Sequence, residues 1–83
     1  MIRISRKLLS VLAIMYALLH AALGSFAMAR NEPVAAIRWY RIALASNPAD
    51  RAATHLNLAR AYMVASDPKE AKRQTLYALE IAP

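Results

Sequence analysis

The chain has 83 residues, with 11 Lys or Arg against 5 Asp or Glu, one Gly and no Cys. That length holds one small unit and excludes a multi-domain enzyme, and the lack of cysteine excludes disulfides, thiolate metal sites and a cysteine nucleophile. Hydrophobic residues make up 59 %, above an ordinary soluble domain, so a stable fold calls for a membrane or a partner to cover apolar surface.

The chain begins with a basic tail, residues 1–7, carrying Arg3, Arg6 and Lys7. Residues 8–29 then read LLSVLAIMYALLHAALGSFAMA without a formal charge. At about 1.5 Å per residue this makes a helix of roughly 33 Å, against a hydrocarbon core of about 30 Å. The basic tail favours the cytoplasmic side. The pattern predicts a single-pass signal anchor in the inner (plasma) membrane, with the C-terminal helices periplasmic. Two other readings compete. Ala27-Met28-Ala29 has the small-x-small form of a signal-peptidase site, which would release residues 30–83 as an exported adaptor. An all-apolar helix is also what the interior of a soluble complex uses. The apolar run exceeds the usual signal-peptide core, which favours the anchor.

Past the apolar run, local signals place helices at about 33–46, 48–65 and 68–81. Asn47-Pro48-Ala49-Asp50 offers an N-cap, a first-turn Pro and an acid. Asp67-Pro68-Lys69-Glu70 repeats the pattern, with Glu70 placed to complete a capping box. Glu32-Pro33 is a weaker version. Short connections make these helices antiparallel neighbours.

Sliding the sequence by 35 residues overlays 17–48 on 52–83. Ten of the 32 positions are identical: Ala17/Ala52, His20/His55, Leu23/Leu58, Met28/Met63, Pro33/Pro68, Ala36/Ala71, Arg38/Arg73, Ala43/Ala78, Leu44/Leu79 and Pro48/Pro83. Self-similarity at this period is the mark of stacked helical hairpins. The first copy shares its first helix with the end of the apolar run, so cleavage after Ala29 would destroy it.

These residues resemble the tetratricopeptide repeat family. That motif carries a bulky residue, Leu-Gly and an aromatic on the first helix, then small, large and small residues and a closing Pro on the second. The copies here are His20, Leu23-Gly24, Ala27, Ala36, Tyr40, Ala43 and Pro48, and His55, Leu58-Ala59, Tyr62, Ala71, Thr75, Ala78 and Pro83. They depart from the family at His20 and His55, at Ala27 for the aromatic, at Thr75 for the large residue, and in a period of 35 rather than 34. The resemblance implies an all-α fold, in which the N-terminal helix runs into a short stack of antiparallel hairpins. It also implies a non-catalytic scaffold that holds a protein or peptide. Two repeats are fewer than such arrays need for stability, so a partner should cover Leu76, Tyr77, Leu79 and Ile81 on the last helix. Arg60 is the candidate for gripping an acidic segment in the concave groove, and Tyr62 a further candidate for partner contact.

Other candidate sites are few. His20 lies in the apolar run, where a ring nitrogen can ligate haem or a pigment; packing is the commoner use of such a residue, and no cofactor or metal is expected. Arg38, Trp39, Tyr40 and Arg41 combine aromatics and cations just past the apolar run, as a membrane interface does. Beyond Ala29 eight Lys or Arg face five Asp or Glu, scattered rather than striped, so no nucleic-acid partner is expected. No phosphate loop, zinc-protease motif or serine elbow occurs. The sequence therefore predicts a membrane-anchored accessory or assembly subunit of a larger membrane or envelope complex.

Overall fold

Ser5 starts the first helix, its hydroxyl accepting a hydrogen bond from the Leu8 amide at 3.2 Å. In the computed structural model, which describes residues 3–46 and 50–82, four helices follow in order. They are α1 (Arg6–Ala29), α2 (Pro33–Ala45), α3 (Arg51–Val64) and α4 (Pro68–Ile81). No strand occurs among the described residues, and the all-α class predicted from the sequence holds. Asn47-Pro48-Ala49 and the closing Pro83 lie outside the described residues. The cap of α3 is Asp50, which accepts from the Ala53 amide at 2.9 Å, so the acid read as a first-turn residue is itself the N-cap.

The two hairpin turns are built alike. Asn31 and Ser66, 35 residues apart, both take left-handed backbone conformations, with φ of 58° and 63°. In each turn the next amide reaches back across the helix end: Glu32 N–H donates to the Ala27 carbonyl at 2.9 Å and Asp67 N–H to the Tyr62 carbonyl at 2.8 Å. This satisfies carbonyls that a helix terminus otherwise leaves unpaired. It also corrects the capping box, because the Asp67 amide is already taken. Glu70 instead accepts from Gln74 at 3.2 Å and pairs with Arg73 at 3.2 Å, while its own amide donates to Asp67 at 3.3 Å. Glu32 makes no side-chain cap and pairs with Arg30 at 3.1 Å.

The first hairpin closes along a stripe of small residues. Ala17, His20, Gly24 and Ala27 are the buried residues of α1, and Ala36, Tyr40 and Ala43 those of α2. A Cβ on Gly24 would lie 2.6–2.9 Å from three Tyr40 ring atoms, so the ring occupies the space that glycine leaves. The second hairpin uses Ala59 and Thr75 at these two positions, adding a methyl on one side and removing a ring from the other. α3 packs onto α2 and touches α1 only slightly. The joint core holds Ala27, Ala36, Tyr40, Leu58, Ala61, Tyr62 and Ala71.

α1 is long and apolar enough to cross a membrane, yet it has two parts. From Arg6 to Tyr16 every side chain is exposed and none is buried by the rest of the chain. From Ala17 onward one face is committed to α2 while Leu18, Leu19 and Phe26 on the others stay exposed, at 59 %, 57 % and 61 %. The uncommitted part measures only about 16 Å at 1.5 Å per residue, half a hydrocarbon core.

Two stability predictions arise. Ser66→Gly relieves a left-handed serine and should stabilise the chain by about 0.5–1 kcal/mol, raising its thermal midpoint in detergent by roughly 4 °C. Gly24→Ala should cost about 1–3 kcal/mol by overpacking, and much less in a Tyr40→Thr background. A double-mutant cycle that gave additive losses would show that the ring and the missing Cβ are not coupled.

Candidate partner-docking surface

Both histidines occupy the same repeat position and meet the same position on the second helix of their hairpin. His20 packs against Trp39, with ring centroids 5.6 Å apart, and donates from Nδ1 to the Tyr16 carbonyl at 2.7 Å. His55 donates from Nδ1 to Gln74 Oε1 at 2.6 Å and packs on Tyr77 at 5.4 Å. Gln74 is the residue 35 beyond Trp39. His20 and His55 are 8 % and 6 % exposed; the His55 nitrogen bonds across to the second helix of its hairpin, whereas the His20 nitrogen bonds back within α1 and only its ring meets α2. Among the described residues no three His, Asp or Glu side chains converge as a metal cage.

Several residues singled out in the sequence have other surroundings than expected. Tyr40 is 3 % exposed and its hydroxyl meets Ser25 Oγ at 3.0 Å; it is core, not a membrane-interface anchor. Tyr62 is 5 % exposed, so its ring is core rather than docking surface, because Ala27, at the same position in the first copy, leaves it room to pack inward. Its hydroxyl accepts from the exposed Arg41 guanidinium, whose carbon lies 5.7 Å from the ring centroid. Trp39 is half-buried and Arg38 exposed.

Leu76, Tyr77, Leu79 and Ile81 are all exposed, but they do not form one patch. Tyr77 and Ile81 border a shallow hollow with Arg51, His55 and Glu80. Leu76 instead lines a larger trough between α3 and α4, about 770 Å³ in volume and almost wholly apolar. Ala59, Met63, Ala71 and Thr75 form its floor and walls, and Arg60 and Lys72 stand at its edges. Arg60 also borders a smaller hollow with Ser25, Met28, Tyr40 and Asn57, and so sits on the ridge between the two. Met63 and Lys72 were not singled out from the sequence. Their signal is present in the 35-residue overlay, where Thr75 is the smaller counterpart of Tyr40 and leaves the second groove unfilled.

Tyr62→Phe should change stability by less than about 1 kcal/mol, since the lost bond is to an exposed cation, whereas Tyr62→Ala should cost about 3–5 kcal/mol. Denaturant titration in detergent checks both. Equal losses would show that the hydroxyl rather than the ring carries the contribution. Comparison with protein-family models, curated proteins and solved structures found no match to this chain.

Proposed function

We propose that this chain is a membrane-anchored, non-catalytic helical adaptor that presents its hairpin stack to a larger membrane or envelope complex. The observation that carries the reading is the division of α1. One continuous helix offers a part with exposed apolar side chains on every face, residues 6–16, and a part built into the first hairpin. The paired turns and the two histidine contacts, each recurring at 35 residues, support the likeness to tetratricopeptide repeats and hence a binding rather than a chemical role.

Energetics favour one seating of such an anchor. If residues 8–29 filled the bilayer, α2 alongside them would carry the exposed Arg38 and Arg41 into hydrocarbon, at about 2.5–3.5 kcal/mol each. If the lipid boundary lies near His20, residues 6–20 supply about 22 Å and the shortfall is several ångströms. Local thinning costs fractions of a kcal/mol per ångström, and Arg3, Arg6 and Lys7 snorkel to shorten it further. The second arrangement is the cheaper. It puts Trp39, packed on His20, at headgroup level, leaves Arg38 in water, and sets Arg41 about 3 Å nearer the lipid, within snorkelling reach of the headgroups. Tyr40 takes no part. The basic tail then faces the cytoplasm and the stack the periplasm, in an inner membrane.

The chain has no cysteine, so single introduced cysteines map this directly. In intact membranes a charged, impermeant maleimide should leave Leu12→Cys unlabelled and label Phe26→Cys when applied from the periplasmic face. Labelling of Phe26→Cys from the cytoplasmic face only would reverse the orientation. Equal protection of both sites would place the whole helix in lipid. Labelling of both, in a chain that alkaline washing strips from the membrane, would end the anchor reading.

A further inference from the structure

The two hairpins are alike, but only one has its groove filled. In the first, the groove between α1 and α2 receives α3, whose Leu58, Ala61 and Tyr62 join Ala27, Ala36 and Tyr40 in the core. Moved by 35 residues, the positions of Gly24, Met28, Ala36 and Tyr40 become Ala59, Met63, Ala71 and Thr75. All four line the open trough between α3 and α4, whose wall also includes Met28 from the end of α1. Nothing in the described chain lies over it, and Met63 remains 60 % exposed. The chain itself therefore states what shape the second groove takes: an α-helix with an apolar stripe.

Charge then selects among helices. At the position of Ser25 the second hairpin has Arg60, and at that of Ile37 it has Lys72. At these two positions the trough is cationic where the filled groove is neutral, while Arg41, which meets Tyr62 at the filled groove, is replaced by Leu76 at the trough. Neither Arg60 nor Lys72 forms an ion pair among the described residues. In the filled groove, Ser25 faces Asn57 and Arg60 of α3; a helix bearing Arg at that place would meet Arg60 with like charge. A second copy of this chain, with a formal charge of +6, is disfavoured for the same reason.

We propose that the trough between α3 and α4 docks an amphipathic α-helix of a partner protein that carries acidic residues beside its apolar stripe. This rests on the adaptor reading above and gives it a site. The probe is a helix-stapled peptide of residues 51–64 carrying Asn57→Glu and Arg60→Glu, which puts carboxylates opposite Arg60. The control is the same stapled peptide unchanged. Each is titrated by fluorescence anisotropy against the full chain in detergent micelles.

The acidic peptide should bind about tenfold or more tighter than the unchanged one, an advantage that shrinks in high salt as screening shortens the reach of the charges. Thr75→Trp, which fills the trough, should abolish binding. In case that variant misfolds, Arg60→Glu with Lys72→Glu alters only exposed side chains and should reverse the preference toward the unchanged, basic peptide. Equal affinity for both peptides, no binding of either, or binding that survives a folded Thr75→Trp would overturn the proposal. So would a dimer of the full chain that Thr75→Trp dissociates, since the occupant would then be a second copy. Cysteine labelling of the anchor uses no peptide, so loss of this docking site and loss of the anchor are separately visible.

Discussion

Close approach of α1 and α2 is the constraint from which the remaining architecture derives. Gly24 removes a side chain so that the Tyr40 ring can lie against helix backbone, and Ala17, Ala27, Ala36 and Ala43 keep the rest of the seam thin. A seam of small residues brings many backbone atoms into van der Waals contact, although each side chain buries little area. It serves equally in water and in lipid, where the hydrophobic effect no longer draws helices together and packing of small residues does. That suits a helix whose two ends have different surroundings. Once Tyr40 is seated, Leu58 and Tyr62 of α3 have a surface to close on, and the second hairpin follows from the first.

Much of this was legible in the sequence because its signals are local. Helix bounds followed from Pro33, Pro68, Asp67 and the polar breaks around them, and the apolar run announced the long first helix. The close contact at Gly24 could be read from its place in the repeat. What escaped were features that depend on which neighbour wins a given group. Asp67 could have offered its amide to Glu70, but a carbonyl at the end of the preceding helix lies closer once Ser66 turns left-handed. Tyr62 and Tyr40 are amphipathic residues whose sequence context fits either a wet interface or a core, and only packing decides between them. The exposed residues of α4 form two separate surfaces because one side of the helix faces the trough and the other the His55 ring, a distinction that residue type does not carry.

The differences between the two hairpins say more than their likeness. Where the first pairs nothing with a phenol ring, the second pairs a methyl with a threonine, and its groove is shallow-walled and open. Where the first has Ser25 and Ile37, the second has Arg60 and Lys72. Copies that diverge at the positions lining one groove, while retaining the turns and the histidine contacts, keep the shared scaffold and change the surface it presents.

The unbroken course of α1 has a mechanical consequence. Its 24 residues form one continuous helix of about 36 Å without an internal proline, so the uncovered end and the stacked end turn as one lever. A change of tilt of about 20°, within the ordinary range for such helices, would swing the far hairpin turns sideways by roughly 12 Å. On the proposed adaptor reading, anything that thickens or thins the surrounding lipid would displace whatever the stack holds.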